Sequence, residues 1–242
     1  MQLENDLSYK VYGEFDISNI AKRLAELESS IWNIDVSRQA YGHGPHNRTN
    51  SVILQYCRGE PEIDKQKALE LNRTGNSPNN NSNWQNNNVI PPKNMQLWRL
   101  RNQNDFNEDI KNIESKFIDD QLNYYTDIIV KQLEKDFDGM SALVLYVKLP
   151  AGKSIGPHTD GGYYLSIVHR LHIPIVTNDK VYFTLENVNN TKDPNKVSIN
   201  MKQGILYEIN NQHRHSVQNS GLIDRIHLIV DIIPKNKIPL AQ

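Results

Sequence analysis

The sequence predicts a mainly β fold with flanking helices, closed as a double-stranded β-helix or jelly roll. Three observations point there. Between residues 141 and 234, seven apolar runs of strand length alternate with turn residues. Ahead of them, two stretches carry apolar residues at three- and four-residue steps, the helical period. The 242 residues show no internal repeat and no clear second domain, so a single domain spanning 1–242 is expected. Residues 1–140 then supply a helical lead-in, a strand and an Asn-rich loop, and 141–234 the jelly-roll core that carries the candidate site.

Each element follows in order. Over 17–31, Ile17, Ile20, Leu24, Leu27 and Ile31 share one helical face, with Asp16 or Ser18 as cap. SVILQYC, 51–57, is a short apolar strand. Residues 72–88, NRTGNSPNNNSNWQNNN, hold too little apolar surface to order themselves and read as a mobile loop. A second helix is expected over 114–137, with Phe117, Leu122, Tyr125, Ile129, Leu133 and Phe137 on or near one face. Asp138-Gly139 ends it. The strands expected next are SALVLYVKL, YYLSIV, RLHIPIV, VYFTLE, KVSIN, GILYEI and RIHLIVDII. Their breaks are Pro150-Ala151-Gly152, Gly161-Gly162, Thr177-Asn178-Asp179, Asn189-Asn190 and Asn210-Asn211.

Composition narrows the function. A formal net charge of -1 offers nothing to nucleic acid or to an anionic membrane surface. No run of roughly 18 apolar residues exists to span a bilayer. The start, MQLENDLSYKVYGEFD, lacks the basic and apolar segments of a secretory signal. The single cysteine, Cys57, excludes an internal disulfide, fits a reducing cytosol, and reads as a small buried hydrophobe ending its strand. Asn47-Arg48-Thr49 is then an accident of an Asn-rich chain and not a glycan acceptor. The expectation is a cytoplasmic protein whose partner is a small-molecule or peptide substrate, with no nucleic-acid or membrane partner.

The chemistry concentrates between His158 and Asp231. His158 and Asp160 stand two residues apart, so on extended backbone both side chains leave one face. A second imidazole comes from His215 or its neighbour His213, with His215 the favoured ligand. Two imidazoles and a carboxylate make the facial triad that holds non-haem Fe(II) and leaves three positions open. An isolated His-x-Asp is more often a loop histidine beside a turn acid; the flanking AGKSIGPHTDGG and the later segments tilt the balance toward the metal. Arg170 and His172 share a face of an otherwise apolar strand. Arg225 lies among Ile and Leu, where a buried charge is costly unless an anion meets it. That anion is an acidic small molecule or an internal acid such as Asp224 or Asp231, and beside a metal pair a carboxylate co-substrate is the better reading.

At these residues the chain resembles the aspartyl/asparaginyl β-hydroxylase family of Fe(II)- and 2-oxoglutarate-dependent dioxygenases, cupin-like jelly rolls. The resemblance is strongest over 141–234. His158 and Asp160 match the family's His-x-Asp or His-x-Gly element, and Arg170 and His172 its Arg-x-His strand. His215 with Asn219 matches the distal ligand, and Arg225 the 2-oxoglutarate arginine ten residues on. Members acting on Asp and Asn of growth-factor-like domains have glycine where this chain has Asp160, and the acid resembles bacterial members, including those that hydroxylate free proline. The resemblance implies that His158, Asp160 and His215 hold Fe(II), and that O2 and 2-oxoglutarate are co-substrates. Arg225 would meet the far carboxylate, with Arg170, His172 and Tyr146 helping; His169 and His227 are left to packing or the surface. The expected reaction is hydroxylation of an unactivated C–H bond in an amino acid, free or within a peptide or protein. Gly161-Gly162-Tyr163-Tyr164 and the Asn-rich loop, anchored by Trp84, are candidates for a lid, or the loop is idle. The rivals are a cupin-like metalloenzyme that does not use 2-oxoglutarate and a non-catalytic ligand-binding barrel.

Overall fold

Apolar alternation after residue 139 sets the architecture, because each strand must hide a face from water. In a computed structural model, which describes residues 7–27, 29–33, 46, 48–57, 113–160, 163–186 and 196–238, the strands form two antiparallel sheets. The larger runs β1 (Tyr9–Glu14), β9 (Ile205–Ile209), β6 (His169–Val176), β11 (Arg225–Pro234), β4 (Gly139–Leu149), β2 (Asn50–Cys57), β3 (Ile113–Ser115). The smaller runs β5 (Ser154–His158), β10 (Arg214–Asn219), β7 (Val181–Glu186), β8 (Lys196–Ile199). Leu149, Tyr207 and Ile209 of the larger sheet share a buried cluster with Ile155, Val181, Phe183, Leu185 and Val217 of the smaller. The sheets therefore face each other across an apolar layer, the expected jelly roll.

The outer face of the larger sheet is covered by α1 (Ser18–Glu26) and α2 (Asp120–Asp136). Ile20, Leu24, Leu122, Ile129 and Leu133 pack there against Val144, Tyr146, Leu171, Ile173, Leu228 and Val230. The Arg23 guanidinium donates to both oxygens of Asp119, at 2.8 and 2.7 Å, and Asp119 Oδ1 also accepts from the Leu122 N–H. One carboxylate thus caps α2 and ties it to α1. Strand β1 is fastened by Tyr12, whose hydroxyl donates to Glu208 at 2.6 Å; the other Glu208 oxygen meets His169 Nδ1, also at 2.6 Å. His169 is thus a buried packing residue on this outer side, where its ring lies against Phe137.

Several elements differ from expectation. The first helix stops at Glu26, and a separate 3-10 turn follows over Ser29–Asn33. Asp16, not Ser18, serves its start, accepting from the Ser18 N–H at 3.0 Å. The second helix begins only at Asp120, because Asn123 Oδ1 accepts from the Ile118 and Asp119 N–H groups and holds the preceding chain out of helix. Residues 113–115 pair with β2 instead, and Phe117, expected on the buried face, is 71% exposed. The helix ends where foreseen: Asp138 adopts φ 43, and Gly139 sits where a Cβ would come 2.4 Å from the Ile233 carbonyl. YYLSIV is no strand; Tyr163–Ile167 form a short helix, α3, burying Tyr164 and Ile167 against Ala142 and Ile233. Strands β1, β3, β5 and β10 come in addition to those expected. The 72–88 loop with Trp84, Gly161-Gly162 and Asn189-Asn190 lie outside the described residues, as does the Cys57 side chain. Among the described residues no helix is long and apolar enough to cross a membrane.

Candidate metal centre

The site starts from two neighbouring strands. β5 and β10 pair antiparallel with His158 directly opposite His215, and the ring centroids lie 4.2 Å apart. Each imidazole is held the same way. His158 Nδ1 lies 2.8 Å from the Gly156 carbonyl, and His215 Nδ1 lies 2.9 Å from the His213 carbonyl. A carbonyl only accepts, so both Nδ1 atoms carry the proton and both Nε2 atoms present a lone pair. His158 Nε2 is buried with no hydrogen-bond partner among the described residues. Phe183 stacks on His215, with ring centroids 5.8 Å apart.

Asp160 follows β5 and is pinned at both backbone ends. Its N–H donates to the Asn211 carbonyl at 3.0 Å, and its carbonyl accepts from Gln212 Nε2 at 3.1 Å. Its oxygens lie 3.6 Å from His158 Nε2 and 4.0 Å from His215 Nε2. Donors on one ion with bonds of roughly 2.1 Å stand about 3 Å apart when adjacent and about 4.2 Å when opposite. Two imidazoles and a carboxylate suit a divalent transition metal in chemistry, while their separations are wider than those of adjacent donors on one ion.

Arg170 departs from expectation. Its Nε and Nη2 donate to Asp231 at 2.9 and 2.8 Å, and Nη1 donates to Asp160 at 2.5 Å. Asp231 is its register partner on β11 and also accepts from the Tyr164 hydroxyl at 3.0 Å. The fork is engaged by two carboxylates, so Arg170 holds Asp160 in place. Burial works to raise the Asp160 pKa, but Arg170 foremost, then His215, His46 and His158, hold it down to about 2. Burial also lowers the pKa of His215, which keeps its ring neutral.

Deeper between the sheets lies a second group. Arg225, 1% exposed, donates from Nη2 to His227 Nδ1 at 2.6 Å. That bond places the His227 proton on Nε2, a buried atom with no hydrogen-bond partner among the described residues. The His172 ring lies 5.8 Å from that of His227 and 5.7 Å from Phe183, the ring that stacks on His215. Burial first, then Arg225, push both His172 and His227 well below the usual histidine range. Of the two internal acids considered for Arg225, Asp231 takes Arg170, and Asp224 accepts from the Ala151 N–H at 3.0 Å, with Lys148 at 3.9 Å. Buried Asn219 shapes the turn before Arg225, donating to the Ile223 and Leu149 carbonyls and accepting from the Gly221 N–H.

Tyr146 does not join these groups. Odd-numbered residues of β4, such as Leu145 and Val147, face the inner side, whereas Tyr146 points outward and shares a 2.6 Å hydrogen bond with Thr126 of α2. His213 also stays apart, its ring against Ser8 and Asn210. One residue was missed: ligating atoms of His46, His158 and Asp160 all lie within 4.8 Å of one another. His46 stands three residues after His43 in the stretch YGHGPHN, but nothing in that stretch ties it to the distant His158 and Asp160.

An antiparallel jelly roll with two oriented imidazoles and a carboxylate between its sheets has the make-up of a non-haem metal oxygenase. Residues 118–234 match the model of the Aspartyl/Asparaginyl beta-hydroxylase family. No curated protein matches the chain. Among solved structures, it is similar to a 2OG-Fe(II) oxygenase family oxidoreductase from Burkholderia pseudomallei, with TM-score 0.45, 10% identity, and coverage of 94% of this chain and 85% of that one. It is also similar to a cupin domain from Bordetella pertussis, with TM-score 0.27, 19% identity, and coverage of 37% and 79%.

Proposed function

We propose that the chain hydroxylates an unactivated C–H bond of an amino acid, free or within a peptide, using Fe(II), 2-oxoglutarate and O2. The observation that carries this is the opposed pair His158 and His215, each proton tied to a backbone carbonyl and each Nε2 turned toward Asp160. His158, Asp160 and His215 would hold the metal, and Arg170 keeps the Asp160 carboxylate charged and aimed. Arg225 receives the far carboxylate of the keto acid, a bidentate match for a guanidinium. His227 orients that guanidinium, and the His172 ring lies 5.8 Å from that of His227 and 5.7 Å from that of Phe183, where burial first, then Arg225, favours its neutral form. The interleaved apolar residues exclude water, which strengthens each of these contacts. When bound, iron and 2-oxoglutarate supply the oxidation: O2 and the keto acid yield succinate, CO2 and a hydroxylated product. A cytoplasmic location rests on the single cysteine.

Succinate formation with Fe(II) and 2-oxoglutarate, screened against free amino acids and short peptides, tests the reading. Stimulation by one compound names the substrate class. Absence of a visible charge-transfer band on anaerobic titration with Fe(II) and 2-oxoglutarate overturns it.

A further inference from the structure

His46 comes from outside the segment that matches the family, yet it lies at the metal donors. Its ring meets that of His158 edge to face, with centroids 4.6 Å apart and an interplanar angle of 84°. The backbone holds it there. The His46 carbonyl accepts from the Thr49 N–H at 2.9 Å and from Thr49 Oγ1 at 2.7 Å. This closes a turn that leads directly into β2, where Asn50 pairs with Lys148 and Ser51 with Val147 of β4. Thr49 and Ser51 are fully buried. The imidazole therefore hangs from a turn rooted in the larger sheet.

We propose that His46 is a fourth, displaceable protein ligand of the metal, so that the resting centre is three imidazoles and one carboxylate. This rests on the assignment of the metal to His158, Asp160 and His215. The spacing supports it: ligating atoms of His46, His158 and Asp160 within 4.8 Å of one another lie at most about 2.8 Å from a common centre, so shifts of up to about 0.7 Å bring them to bonds of roughly 2.1 Å. The count of positions gives it a purpose. Four protein ligands leave two places on a six-coordinate ion, one fewer than 2-oxoglutarate and O2 need together. His46 must therefore yield before turnover, and a centre that opens only on loading is protected from idle oxidation. Without co-substrate, the extra imidazole also retains the metal.

Co(II) in place of iron, added to the full-length chain without keto acid, provides the test. Partners that merely orient metal ligands are worth about 10–100-fold in affinity, so His46→Ala should weaken Co(II) binding by about tenfold or more and change its visible bands. Adding 2-oxoglutarate should shrink that difference, since its two oxygens compete for the position. His46→Cys gives an independent signal: a thiolate on Co(II) adds an intense near-ultraviolet charge-transfer band, which the wild type, with Cys57 as its only thiol, should lack. Equal affinity and bands in wild type and His46→Ala, with no new band in His46→Cys, overturn the proposal. Failure of the underlying assignment looks different: Co(II) then binds His158→Ala as well as it binds the wild type.

Discussion

The two faces of one sheet divide the labour of this molecule. Toward α1 and α2, strands β4, β6 and β11 present Val144, Tyr146, Leu171, Ile173, Leu228 and Val230, an apolar surface. Toward the smaller sheet, alternate residues of β6 and β11 present Arg170, His172, Arg225, His227 and Asp231, all but Arg170 fully buried. A two-residue repeat places the two sets back to back. The outer set contributes stability through burial. The inner set costs stability, since charged groups between sheets lose their hydration and recover it only where partners are exact in direction. Substitutions should therefore separate folding from co-substrate binding according to the face they touch.

The largest effect expected is on the outer face. Leu228→Ala, at a site 0% exposed, should cost about 2–5 kcal/mol in denaturant unfolding while the folded protein keeps its Co(II) affinity. Lost metal binding in folded Leu228→Ala would show that the faces are not independent. On the inner face, Arg225→Met should raise half-saturating 2-oxoglutarate about 100-fold, near 2.7 kcal/mol, measured by succinate formation. The melting temperature should hold or rise, because a buried charge has been exchanged for an apolar chain of similar length. A variant that melts early and binds 2-oxoglutarate normally would reassign Arg225 to structure.

Acid should also act through the inner face. His172 and His227 have folded pKa values below the 6.5 of free histidine, so the unfolded chain binds more protons as pH falls. Their burden is absent above about pH 6.5 and grows below it, by up to about 1.4 kcal/mol per pH unit for each ring. Metal-free protein should lose stability between pH 6.5 and 5.5, and His227→Gln should reduce the slope; an unchanged slope would remove His227 from this account. Asp160 acts in another window: its depressed pKa stabilises above about 3.8, and that share is lost as pH falls toward about 2. The smallest effect is Tyr146→Phe, which removes one buried hydrogen bond and should cost about 1 kcal/mol without altering the 2-oxoglutarate dependence. Altered dependence would return Tyr146 to the co-substrate.

The outer face was the easier to read from sequence. β4, β6, β7 and β11 announce themselves by apolar, β-branched runs, and the helical period gave α1 and the body of α2. The strands carrying the metal donors did not. SIGPH holds a glycine and a proline, and RHSVQN is mostly polar, so neither shows the apolar, β-branched run that marks the other strands. YYLSIV misled for a different reason: a five- or six-residue apolar run suits a buried strand or a short helix equally. Tyr146 was placed with the co-substrate from chain proximity, although its even number puts it on the opposite face from Leu145 and Val147. Arg170 lies beside Asp160, and its second partner Asp231 depends on the pairing of β6 with β11, which no local pattern reveals. His46 is the extreme case, joined to its neighbours by folding alone.

The carbonyls of Gly156 and His213 that aim the two imidazoles belong to the main chain. A point mutation can delete a side-chain acceptor, but it cannot delete a peptide oxygen. The aim of both rings is thus inherited with the path of β5 and the approach to β10, whatever side chains stand there. At Gly156 nothing lies within 4 Å of where a Cβ would be, so even a larger residue would leave the His158 ring anchored. Drift in the nearby sequence can change the look of this barrel's rim while the two Nε2 atoms keep their bearing.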